Sequence, residues 1–153
     1  MPSANKLDYI LDRVKAALAT EATFTVLSTY DKTRTPNDTR ILVYPFIAQV
    51  TQTPTFENSR AQEGVALLTV WCDVPVKAEG ATPTGKTFDA YASVISKAEK
   101  ALKNIDPSQE THTDSTSTWI SGVNVIGIGG HVADGSQKTT ADFNVQITYG
   151  FLV

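Results

Sequence analysis

The segment DFNVQITYGFLV, residues 142–153, most constrains what this chain can fold into. Phe143, Val145, Ile147, Tyr149, Phe151 and Val153 alternate without a break against Asp142, Asn144, Gln146 and Thr148. A period of two is the signature of a β-strand with one buried face. As a helix the same residues would scatter their aromatic rings around the cylinder. At about a dozen residues the strand is twice the usual length, so its apolar face needs a broad layer to pack on. Beyond Asp142 its polar face is uncharged (Asn144, Gln146, Thr148), and its end, Gly150-Phe151-Leu152-Val153, carries no Lys, Glu or Pro. Left as a free edge, such a strand would recruit other chains. It is therefore expected to be paired or covered, with a neighbouring subunit as one candidate for the cover.

Two helices can supply the packing layer. Leu7, Ile10, Leu11, Val14 and Leu18 recur at helical spacing behind a plausible Asn5 N-cap, and the run ends near Thr20. Phe88, Tyr91, Ile95, Ala98, Leu102 and Ile105 form a second stripe, stopped by Asp106-Pro107. Between the helices, TFTVLSTY and RILVYPFIAQV read as strands. Pro45 places the second at an edge or at a bulge. VALLTVWCDVPV follows, apolar on both faces and so expected to be central and covered on both sides. WISGVNVIGIGGHV changes phase, which either a bulge near Val125 or burial of both faces would explain, and Asp134-Gly135 offers a hairpin turn into the final strand. The order α-β-β-β-α-β-β predicts an α+β fold: two helices on a mainly antiparallel sheet of about five strands. Residues 1–153 are expected to form a single domain. The polar connections at 31–40, 51–63 and 106–118 are expected to be loops.

Composition closes off several functions. Thirteen Lys+Arg against sixteen Asp+Glu leave a net charge of −3, and gripping nucleic acid needs a basic stripe. No apolar run reaches the ~18 residues of a membrane span. The first fifteen residues, MPSANKLDYILDRVK, lack the apolar core of a signal peptide. Cys72 is the only cysteine, so neither an intramolecular disulfide nor a multi-cysteine zinc site is available. Trp71, Trp119, Tyr44 and Tyr149 fall on alternating strand positions without interleaved Arg or Lys, which favours core packing over base stacking.

One motif imitates a catalytic loop. Residues 80–87, GATPTGKT, match the phosphate-binding pattern, with Gly80 and Gly85 framing the loop, Lys86 aimed at phosphate and Thr87 at magnesium. Lys77, Ala78 and Glu79 separate it from the preceding strand, no later apolar strand ends in the metal-holding Asp, and no helix follows residue 105. It reads as a linker, and no cofactor or metal is expected. Gly127, Gly129 and Gly130 lack the helix a dinucleotide fingerprint needs. Cys72 sits among apolar strand residues, so a catalytic pairing with His131 is disfavoured. His112 lies in a Thr/Ser/Asp loop and reads as solvated.

The succession of LDYILDRVKAAL, ILVYPF, VALLTVWCD, FDAYASVISKAEKAL and DFNVQITYGF resembles the tail-terminator or tail-completion (neck) proteins of long-tailed bacteriophages. The resemblance covers nearly the whole chain and rests on element order and strand texture. The Thr/Ser-rich 106–118 loop and the glycine-rich strand before the last depart from it. It implies a small α+β virion protein without enzymatic activity, assembled in the host cytoplasm. Such proteins form a homo-oligomeric ring, commonly hexameric, at the head-proximal end of the tail tube. The ring stops tube polymerisation and joins the tail to the head connector, and DNA only passes through it. On that reading the subunit and partner contacts are expected at Lys32, Arg34 and Arg40 of the first connection and at Asn144, Gln146, Thr148 and Phe151 of the final strand.

Overall fold

A computed structural model describes residues 6–29, 41–53, 61–75, 85–107, 111–112, 118–128, 132–134 and 138–152. Its elements are α1 (Lys6–Leu18), β1 (Phe24–Val26), β2 (Ile41–Thr53), β3 (Ala61–Pro75), α2 (Gly85–Leu102), β4 (Thr111–His112), β5 (Thr118–Ile128), β6 (Val132–Asp134) and β7 (Lys138–Leu152). This is the expected α+β arrangement, with β4 and β6 as short additions. The sheet runs β1-β2-β3-β7-β5-β4, and β6 also pairs with β7. It is mixed: β1 and β2 are parallel, and every other pair is antiparallel.

The helices lie on one face. Ile10, Val14, Ala17 and Leu18 of α1 and Val94, Ile95, Ala98 and Leu102 of α2 are buried. They join Ala66, Leu68, Val70 and Cys72 of β3 and Phe143, Val145, Ile147, Tyr149 and Phe151 of β7 in one core. Leu7 and Leu11 pack against it from the flank of α1. The side chains of Phe88 and Tyr91 lie outside the described residues. Helix α2 ends at Leu102, short of the expected Asp106-Pro107 stop. The Asn104 side-chain amide donates to the Ala101 carbonyl (3.0 Å), and the Ile105 N–H donates to Leu102 (3.0 Å), closing the last turn. The same Asn104 amide donates to the Thr20 hydroxyl (3.0 Å), whose own hydrogen goes to the Ala17 carbonyl (2.6 Å). The C-terminal turns of the two helices are thereby tied together.

The strand details follow the backbone chemistry. Strand β1 pairs only with Ile41–Val43, and the Leu27 N–H adds a bond to the Val43 carbonyl. Pro45 therefore sits where β2 becomes an edge, as its missing donor requires. β2 is bulged at Ala48, between Ile47 and Gln49. The phase change in β5 is a bulge between Val125 and Gly127, the first of its two explanations, and a second bulge lies between Ile120 and Gly122. The hairpin into the last strand is made by β6 and β7, with Asp134 opposite Lys138.

Three expectations are corrected. The 51–63 loop is shorter, because Thr51, Gln52 and Thr53 continue β2 opposite Val65, Gly64 and Glu63. Exposed Thr and Gln satisfy a ladder through their backbones and need no apolar side chain to do so. Likewise Thr111 and His112 of the 106–118 segment pair with Trp119 and Thr118. The third correction concerns β3, which is central, between β2 and β7, but covered by helices on one face only. On its other face Val65 and Leu67 are half-buried and Trp71 is 37% exposed.

Candidate functional site

The sheet face turned away from the helices is the only extended surface that the described residues leave without a second layer. Alternation on β2 puts Tyr44 and Phe46 there, and β3 adds Trp71, directly opposite Tyr44 in the register. The three rings form a cluster. Phe46 meets Trp71 edge-on at 4.9 Å between centroids, Tyr44 lies 5.6 Å from Phe46, and Tyr44 lies 6.2 Å from Trp71. With Thr29 they line an open depression of about 450 Å³. The rings give the Trp71 end of the outer face of β3 its partial cover, where cover on both faces was expected. These aromatics are not core residues. Only Tyr149, on the helix face, is fully buried.

Next to the cluster the face turns polar: Asp142 of β7 stands opposite Trp71, and the row beyond it is uncharged. Thr69 donates its hydroxyl hydrogen to Asn144 Oδ1 (3.0 Å) across the β3–β7 ladder. Gln146 and Thr148 continue the row on β7, with Asn124 and Gly122 opposite them on β5. The Ser121 hydroxyl donates to the Thr148 carbonyl (3.1 Å). At the far end, the Trp119 indole lies over Gly150, where a Cβ would collide with it.

Asn144, Gln146 and Thr148 thus share one half-buried row, but that row belongs to an interior strand. The unguarded final strand is paired along both sides by β3 and β5 of its own chain. Its lack of charge is explained by intramolecular pairing, and it is not an edge for a neighbour. Phe151 is on the opposite face and 5% exposed. It stacks on Tyr149 at 5.9 Å, and Lys6 Nζ sits 3.7 Å above its ring. Phe151 therefore anchors the first turn of α1 from within the core, which corrects its assignment as a contact residue. Lys32, Arg34 and Arg40 lie outside the described residues. The aromatic cluster was the missed feature. Its signal was present as Tyr44-x-Phe46 facing Trp71, but both faces of these strands are apolar, so the sequence does not say which one the helices take.

The one carboxylate buried on this face among the described residues is Asp73, two positions beyond Trp71 and 1% exposed. Among the described residues no three His, Cys, Asp or Glu converge on a metal-sized site. Cys72 is fully buried, and burial, with the nearby Asp73 and Asp142 carboxylates, pushes its thiol far above the ordinary range. It stays a thiol at neutral pH and is inert. Gly85, Lys86 and Thr87 open α2, while Gly80 lies outside the described residues. Both neighbours of β3 run antiparallel to it, so α2 does not connect parallel adjacent strands as a phosphate-loop sheet requires. Millimolar ATP–Mg²⁺ should leave the melting temperature unchanged, in the parent and in Lys86→Ala alike. A ligand at 100 times its Kd would add about 2.7 kcal/mol, visible as a shift of several degrees.

No protein-family model matches the chain, and no curated protein matches it. A solved structure of a protein whose name states no activity shares 12% identity, with 93% of this chain and 95% of that chain covered and a TM-score of 0.35. No helix among the described residues is long and apolar enough to cross a membrane.

Proposed function

We propose that this chain is a structural virion protein of the phage tail-terminator kind, which forms a ring at the head-proximal end of the tail tube. The observation that carries the reading is the one-sided sheet. Both helices pack on a single face, and the other presents an aromatic cluster beside a row of uncharged amides and hydroxyls. Such a face is suited to contact with protein. The segments that bear the resemblance fall on α1, β2, β3, α2 and β7, the elements that build the sheet and its cover.

On this reading the ring caps the last ring of tube subunits, halts their polymerisation and presents its other side to the head connector. A net charge of −3 per chain lets DNA pass without adhering. The ring is assembled in the host cytoplasm and ends in the virion. The test is assembly without the protein. Tails are expected to overgrow and to fail to join heads, as seen by negative-stain microscopy. Tails of normal length that do not join heads would point to another neck or minor tail protein. Tails normal in both respects would defeat the reading.

A further inference from the structure

Among the described residues the sheet has two open edges, one on each side. β1 covers β2 only at Ile41–Val43, which leaves Phe46–Thr53 open. β4 covers β5 only at Thr118 and Trp119, which leaves Ile120–Ile128 open. Neither stretch contains a charged residue or a proline, the guards by which monomeric proteins keep sheet edges apart. The β2 stretch carries one bulge and the β5 stretch two, which twist an edge but leave the flanking residues able to pair. Ile126, on the β5 edge, is 53% exposed. Beside it, half-buried Val123 and Val125 line a groove of about 360 Å³ with Leu102, Ile105 and Pro107.

The two edges suit each other in direction. Three antiparallel steps separate β2 from β5, through β3 and β7, so β5 runs opposite to β2. In a ring whose strands are tilted from the axis, as in a closed barrel, every copy keeps the same sense and a stagger between copies is taken up by the tilt. The β2 edge of one copy then meets the β5 edge of the next antiparallel, which is the stronger pairing. The contact is heterologous, the kind that builds a ring when the rotation between copies closes. We propose that copies of this chain join by pairing the open edge of β2 with the open edge of β5 of the next copy. The sheet then runs continuously around the ring. This deepens the ring reading above by naming the surface that closes it.

The register adds an offset. Gln49, Leu67, Gln146 and Asn124 form one rung across β2, β3, β7 and β5. On the same scale β1 flanks the rungs of Ile41–Val43, and β6 occupies those of Asp73 down to Pro75, directly below β5. Docked rung to rung, β6 of one copy would collide with β1 of the next. Sliding the incoming copy four rungs toward Thr53, roughly 14 Å, clears β1. An even slide also keeps the helix-facing sides continuous. Asn124 then arrives opposite Thr53.

The test uses the full chain with Asn124→Cys combined in turn with Gln49→Cys, Thr51→Cys and Thr53→Cys, oxidised and separated without reductant. Buried Cys72 stays silent. Within one copy β2 and β5 are three strand spacings apart, about 14 Å, beyond the ~7 Å that a disulfide spans. Every cross-link therefore joins two copies. The expected result is a covalent ladder, at least tenfold stronger with Thr53→Cys than with Gln49→Cys. A maximum at Gln49→Cys would overturn the offset. Dimers from Asn124→Cys alone would mean β5 pairs with itself and would overturn the ring edge. No ladder from any pair, in millimolar solution and in assembled tails, would overturn the pairing. Rings seen by microscopy without a ladder would sink the pairing and spare the function. A ladder alongside normal tails made without the protein would do the reverse.

Discussion

Phe143→Ala is expected to lower the unfolding free energy by about 3–5 kcal/mol, the usual loss for a large aromatic ring removed from a packed core. Phe143 has no exposed surface. It stands at the middle of the sheet, opposite Val70 on β3 and Ile128 on β5. The cavity left behind would be walled by backbone that cannot collapse, because β7 is hydrogen-bonded along both sides. Trp71→Ala deletes a larger ring yet should cost less than about 1.5 kcal/mol. Trp71 is already partly hydrated, and it loses chiefly its contacts with Tyr44 and Phe46. Denaturant melts of the two variants provide the comparison. If Trp71→Ala cost more than Phe143→Ala, the assignment of the faces would be reversed.

Gly64→Ala should destabilise by about 3 kcal/mol, at the upper end for a single added methyl. A Cβ at this position would stand 2.5 Å from the ring carbon that bears the Tyr149 hydroxyl. The ring has nowhere to go: Tyr149 is fully buried, and its hydroxyl donates to Gln52 Oε1 (3.3 Å) on β2. Glycine is needed here because the aromatic ring lies directly on the backbone. Tyr149→Leu in the Gly64→Ala background should recover part of the loss, so the double variant should fall short of the sum of the singles. Additive losses would show that the two residues do not collide.

Much of this fold is legible in the chain, and the limits have physical causes. The alternation of β7 and the stripes of α1 and α2 announce themselves because each buries one face only, so side-chain chemistry and geometry share a period. The bulge near Val125 is readable for the same reason: an extra residue throws the alternation out of phase. Three kinds of information are not local. Hydrophobicity shows that both faces of β2 and β3 are apolar, but which face receives the helices depends on all the strands together. Neighbour order is equally hidden. An uncharged strand reads as unguarded whether β3 and β5 or another subunit covers it, and this is why Asn144, Gln146 and Thr148 suggested an edge. Phe151 sits near the end of the segment and reads as peripheral, yet α1 returns to it through Lys6. The aromatic cluster is the same kind of case, since Tyr44 and Trp71 meet only once the register of β2 and β3 is fixed.

The central place of β7 has a kinetic consequence. β2 and β3 are close in sequence and can pair early, whereas Thr69 meets Asn144 across a separation of 75 residues. Pairings that distant are slow, because the intervening chain must give up its freedom before any contact compensates for it. Until β7 arrives, one long side of β3 stands open, and β5 has only the two-residue β4 to hold it. The central strand β3 is therefore the last to be sheltered along both sides. An incompletely folded chain presents a raw interior edge in addition to its two outer ones, and the species most prone to aggregate is the half-made sheet. Insertion of β7 both completes the core and removes that hazard, so folding and release from self-association become a single event.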